Sequence, residues 1–255
     1  MKLRFLYHAE AAAATGQLTL PYQEMIPIPA SVSVPLNGGH ATASVEDFSH
    51  RGIISFRRAE AHVFGAYSEK DKAYGAASTV CVEGVNILNV VTCDRVILRL
   101  AAKYPDGDVE PTFNPLGSHF DNLRIAGHPI HVDMATYLFT QHGTWSNLNQ
   151  AYEQDEAFHK EIASLSMIEA AGRQLPLGHG TLGVTLARNL FDKLPRGLER
   201  RDHGIYVPHF GTVYLGEYFV SRHAHRLLML HVDLGCAVEG CGGIASGQNN
   251  GQTYP

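Results

Sequence analysis

Alternation of β-branched and small residues with a period of two recurs along most of this chain, and it leaves little room for any fold but antiparallel sheet. "PASVSVP", "AEAHVFGAYS", "ASTVCVEGV" and "DRVILRL" read as short strands, because a period of two gathers apolar side chains on one face. Turn signals separate them: "NGG" at 37–39, "SEKDK" at 68–72, "YPDGD" at 104–108 and "NPLGS" at 114–118. Prolines at 27, 29 and 35 bracket "ASVSV", which suits an edge strand or a strand between bends. "NLRIAGHPIHVDM" reads as a hairpin turning at Gly127, His128 and Pro129, with Leu123, Ile125, Ile130 and Val132 as its apolar side chains. Residues 3 to about 134 are expected to be a run of antiparallel strands.

The pattern changes at residue 146. In "SNLNQAYEQDEAFHKEIASLSMIEAAG" the residues Leu148, Tyr152, Phe158, Ile162, Leu165 and Ile168 recur at helical spacing. This predicts one amphipathic helix over about 147–171, with Ser146 or Asn147 as N-cap, Gly172 at its end and His159 in solvent. Strands then resume in "GTLGVTLARNLF", "GIYVPHFGTVYLGEYFVS" and "RLLMLHVDLGCAVEG", and residues 242–255 read as a flexible glycine-rich tail. A lone helix among strands argues against βαβ alternation. The expected fold is mainly β, an antiparallel β-sandwich or barrel with one covering α-helix, in a single domain over 1–255.

Composition narrows the function classes. A chain of 255 residues at 45% hydrophobic content can bury a real core. Its formal charge of −5 lacks the basic stripe that nucleic acid or an anionic membrane requires. In "KLPRGLERRDHG" the basic residues are diluted by Asp192, Glu199 and Asp202, as in a solvated loop. No uninterrupted apolar run is long enough for a transmembrane helix. His8 and Glu10 interrupt the start "MKLRFLYHAEAAAATG", which is therefore not read as a cleaved secretory signal. Cys81, Cys93, Cys236 and Cys241 form no CxxC; reduced thiols in a cytoplasmic chain are the expectation, with a small "CAVEGC" disulfide loop as the extracellular alternative.

"STVCVEGVNILNVVTCDRVILRL" followed by "GSHFDNLRIAGHPI" resembles a segment of the bacterial β-rich proteins known as choice-of-anchor domains. The likeness rests on Val82, Gly84, Val85, Ile87, Cys93, Asp94 and Val96, then on Leu123, Ile125, Gly127, Pro129 and Ile130. The resemblance implies a β domain exposed at the cell surface or secreted, without assigned catalytic residues.

Fifteen histidines are scattered along the chain, and "HAHRLLMLHVD" at 223–233 concentrates three of them with an aspartate. On a regular strand the odd positions His223, His225, His231 and Asp233 share a face, but at ~3.3 Å per residue His225 and His231 stand about 20 Å apart. One metal ion cannot bind both. The stretch therefore divides into two candidate pairs. His223 and His225, with His209 or with His119 and Asp121, are the candidate ligands of a divalent transition metal. His231 and Asp233 are the candidate acid–base pair, with a same-face hydrogen-bonded pair as the alternative. His128 and His131 are poor joint ligands, and His179 sits alone in "LGHG". No nucleophile elbow, dinucleotide fingerprint, Walker loop or zincin motif occurs.

Two functions are compatible with these readings. One is a non-catalytic β-rich interaction or self-assembly protein that forms a homo-oligomer. The other is a small-molecule enzyme that uses a histidine-based metal or acid–base site in a barrel or sandwich mouth.

Overall fold

The computed structural model describes residues 4–107, 109–115, 117–167 and 180–254. The chain opens with β1 (Arg4–Leu6), β2 (Ala9–Leu20), β3 (Glu24–Met25) and β4 (Val32–Ser33). A meander of long hairpins follows in β5 (Gly39–His50), β6 (Ile54–Ser68), β7 (Ala73–Ile87) and β8 (Val91–Pro105). Short strands come next: β9 (Thr112–Asn114), β10 (His119–Asp121), β11 (Arg124–Ile125), β12 (His128–Pro129) and β13 (Asp133–Met134). The helices are α1 (Tyr137–Gln141), α2 (Trp145–Gln154) and α3 (Glu156–Leu165). Then come β14 (Leu182–Thr185), β15 (Ala187–Arg188), β16 (Glu199–Arg201) and β17 (Gly204–Val207). The series closes with β18 (Gly211–Val220), β19 (His225–Cys236), β20 (Val238–Asn249) and β21 (Gln252–Tyr254).

Two antiparallel sheets form an open sandwich, as the alternation predicts. The smaller runs β12-β11-β8-β7-β6-β5, with β9 and β10 also paired to β8. The larger runs β16-β17-β18-β19-β20-β2-β3, with β14 on β18 and β4 on β2. Strands β2, β20 and β19 lie against β6, β7 and β8. The smaller sheet contributes bulk at this interface, through Val80, Val82, Leu98 and Leu100, all buried. In the larger one β2 and β20 contribute mostly small residues, Ala9, Ala11 and Ala13 of β2 with Gly242 and Gly247 of β20, while β19 adds Leu227, Met229 and Leu230. A Cβ on Gly247 would stand 2.8 Å from Leu98 Cδ2, and one on Gly242 2.7 Å from Ile54 Cδ1. Each fully buried aliphatic side chain stabilises the sandwich by about 1.5–3 kcal/mol, so small residues facing large ones let the two sheets close without voids.

This packing overturns the expectation of a flexible tail over 242–255. Residues 238–249 form β20, inside the larger sheet between β19 and β2, and β21 pairs with β1. Glycine masked the alternation here, because the inward positions are filled by side chains reaching across from the facing sheet.

The helix differs in a smaller way. Its N-cap is Thr144, whose hydroxyl accepts from Asn147 N at 3.2 Å. The segment then breaks at Asp155, whose carboxylate accepts from Ala157 N at 2.9 Å and Phe158 N at 3.1 Å and so starts a second helix. Leu148, Phe158, Ile162 and Leu165 are buried as their spacing requires, and His159 is exposed. Ile168 and Gly172 lie outside the described residues. The preceding short helix α1, unexpected from sequence, puts Phe139 edge-on to Tyr218 with ring centroids 4.7 Å apart. The β11–β12 hairpin turns at Ala126 and Gly127, with φ of 50° and 78°, one residue earlier than the proline suggested.

Candidate functional site

Strand β19 does not keep one face. Gly216 of β18 and Ala245 of β20 have left-handed φ of 65° and 55°, and the ladder skips the row containing Met229. The consecutive Met229 and Leu230 are both buried, so the inward set is His225, Leu227 and Met229 on one side of the kink and Leu230, Val232 and Leu234 on the other. His225 consequently faces the space between the sheets, whereas His231 and Asp233 face the outer side of the larger sheet.

This geometry dismantles the expected metal set. His225 is 2% exposed and uses both ring nitrogens within the protein: Nδ1 meets the Tyr218 hydroxyl at 3.1 Å and Nε2 meets Asn249 Nδ2 at 3.0 Å. Asn249 Oδ1 accepts from Ser78 Oγ of the facing sheet at 2.8 Å, completing a buried polar chain across the sandwich. The pair of contacts suits the tautomer that donates from Nδ1 to the Tyr218 oxygen and accepts at Nε2. Burial pushes the pKa of His225 down to about 3, so the ring is neutral. His223 lies outside the strand, exposed in the preceding turn. His209 sits in the β17–β18 turn, two residues before Gly211, which pairs with Leu234 at the far end from the Val220–His225 pair. His119 and Asp121 belong to the other sheet, where Arg95 Nε holds Asp121 at 2.7 Å. Among the described residues no three His, Cys, Asp or Glu side chains are gathered to hold a metal. Cys81, Cys93 and Cys241 are free thiols.

The second expected pair is brought together. His231 Nε2 lies 3.2 Å from Asp233 Oδ1. Two residues the sequence did not single out extend the contact. Glu217 of β18 places Oε2 2.9 Å from His231 Nδ1 and Oε1 3.0 Å from His203 Nε2. Tyr214 stacks between the imidazoles, 4.6 Å from His203 and 5.1 Å from His231. Burial raises the pKa of Glu217, but hydrogen bonds and positive charge from His203 and His231 outweigh it and hold the carboxyl at about 2. His231 is raised above the ordinary imidazole range: burial opposes its charge, and Glu217 with Asp233 more than offsets that. The four groups form a line of alternating carboxylate and imidazole, Asp233–His231–Glu217–His203. As placed, His231 donates from both nitrogens and retains its proton; transfer to another molecule requires the half-exposed Asp233 to swing aside. His203 Nδ1 is buried without a hydrogen-bond partner.

The polar groups of the larger sheet therefore divide into a chain buried between the layers and an ionic cluster on the outer face. The class this defines is the open antiparallel β-sandwich with its candidate chemistry on a sheet face rather than in a barrel mouth. The chain belongs to a family described as a domain of unknown function, DUF8256, whose model matches residues 5–177. That match takes in the meander and the helices but stops short of the β16–β17 turn and of β18 and β19, which carry the histidine cluster. No curated protein and no solved structure matches the chain.

Proposed function

We propose that the protein is a β-rich self-assembly protein whose copies join through strand β5, a non-catalytic role. The observation that carries this reading is an unequal distribution of sheet edges. Among the described residues, every strand paired on one side only spans two to four residues, except β5, which spans 12. A long edge offers a row of unsatisfied backbone donors and acceptors, which soluble proteins cover, shorten or charge. Here the smooth part runs from Gly39 to Glu46 and ends at Asp47, where a φ of 50° bulges the strand.

The sequence of that edge is self-complementary. In an antiparallel two-fold pairing centred on Ala43, Ala41 would lie opposite Val45 and His40 opposite Glu46. Ala41, Ala43 and Val45 face the core and are only half-buried, because no further strand covers them. Exposed Leu36, just ahead of β5, adds apolar surface. The resemblance of the first half to choice-of-anchor domains supports a role in display or assembly.

Light scattering tests this directly. Wild-type protein should show twice the 27.9 kDa monomer mass. His40→Glu should weaken the dimer about tenfold by setting like charges opposite each other, and adding Glu46→Lys should restore it. Monomer mass at every dilution, or an identical response from the single and double variants, would remove the reading.

A further inference from the structure

The outer face of the larger sheet carries a cleft of about 370 Å³ that shares no residue with the ionic cluster, at the small end of the size range of small-molecule sites. It exists because β2 and β20 carry small residues there as well: Ala12 and Ser246, with the backbone of Gly247, make its floor. Across it in register lie Arg226, Gln248 and Glu10, each on a neighbouring strand, so Arg226 and Glu10 stand two strand spacings apart, about 10 Å between backbones. Ser31, Ser33 and Thr15 add hydroxyls, and Ile28 forms an apolar wall.

The charges are not used alike. Glu10 accepts from Gln248 Nε2 at 2.7 Å and lies 3.1 Å from His8 Nε2, which fixes its carboxylate and leaves further lone pairs open. Arg226 makes no hydrogen bond or ion pair among the described residues, although a carboxylate stands two strands away. A guanidinium left free at the edge of a hydroxyl-lined cleft presents a planar fork suited to a carboxylate.

We propose that this cleft binds a small hydroxylated carboxylic acid, of the sugar-acid class, with its carboxylate on Arg226 and its hydroxyls on Glu10, Gln248 and the serines. The anchored carboxylate of Glu10 opposes a second negative charge at that end and accepts hydroxyl protons instead. This site is independent of the β5 edge.

The test is calorimetric titration of the wild-type protein with glucuronate, glucose and inorganic phosphate. Glucuronate should bind, with glucose and phosphate each at least tenfold weaker. Arg226→Ala should weaken glucuronate roughly ten- to a hundredfold, the range expected for a charge-assisted pair. Ser246→Leu, which keeps the guanidinium but fills the floor, should weaken it comparably. Circular dichroism of both exposed-face variants checks that they remain folded. Equal binding of glucose and glucuronate, tighter binding of phosphate, no heat from any probe, or glucuronate affinity unchanged in both variants would each overturn the proposal.

Discussion

Acid should unfold this protein through one buried imidazole. His225 is neutral between the sheets with a pKa of about 3, against an ordinary value of 6.5. A base whose folded pKa is depressed binds its proton more readily when unfolded, so its contribution to stability is complete above 6.5 and is lost as pH falls toward 3. At about 1.4 kcal/mol per unit, the loss through His225 alone is about 2 kcal/mol on going from about pH 8 to about pH 5, with a limit of about 5 kcal/mol below pH 3. Protonation would also place an Nε2–H against the amide donor of Asn249, so the Ser78–Asn249–His225–Tyr218 chain would have to reorganise. His225→Gln keeps a polar side chain and does not titrate. It should be weaker than wild type at pH 8 by about 1–3 kcal/mol, because its amide fits the two partners less well. Urea denaturation at both pH values measures the difference of differences, in which the other histidines and the oppositely signed contribution of His231 cancel. The wild type should lose about 2 kcal/mol more than His225→Gln between the two conditions. An identical pH dependence in the two proteins would refute the reasoning.

Glu217→Gln removes a carboxylate held at about 2 from an ordinary 4.5; that stability is present above 4.5 and fades as pH falls toward 2. Near pH 6 the variant should lose about 3 kcal/mol, and the NMR titration of the His231 ring should move down toward its ordinary value; an unmoved ring would mean that Asp233 alone sets it. Gly240→Ala would put a Cβ 2.3 Å from the Gln17 carbonyl oxygen, at a φ of +150°. It should lower stability by about 3 kcal/mol in thermal or urea unfolding, whereas a neutral effect would show the β2–β20 spacing to be slack. Truncation ahead of Val238 should abolish the β-sheet dichroism of the larger sheet, while a fully folded truncated chain would show β20 to be dispensable.

Strands β6, β7 and β8 were legible because each displays its alternation locally, with the turn residues of 68–72 between β6 and β7; β5, rich in polar residues, was not singled out. Strand β20 was not, because its inward residues are glycines and alanines whose burial depends on Ile54 and Leu98, far away in sequence. Asp155 falls inside the span predicted as one helix, and its competition for the backbone amides divides that span in two. Pairing His231 with Asp233 needed only the two-residue period of a strand. Glu217 escaped notice because it reaches His231 from the neighbouring strand, beside Tyr214 that lies opposite His231, and His203 because it meets Glu217 from the turn ahead of β17. His225 looked like half of an H-x-H ligand pair until Asn249 and Tyr218 were seen to occupy both its nitrogens.

Glu10 and Gln248 share a hydrogen bond across 238 residues of sequence, since β20 lies directly beside β2. During synthesis β2 leaves the ribosome long before its neighbour exists. At roughly 5–20 residues per second, the wait is on the order of ten seconds or more. The hairpins of β5 to β8 need no such delay, because their contacts are local. The growing chain thus carries a finished meander whose apolar inner face, with Val80, Val82, Leu98 and Leu100, has only a single alanine-rich strand to lie against it. Nascent chains arrested ahead of Val238 are expected to leave β2 open to protease and to recruit chaperones, and both should cease once β20 has emerged.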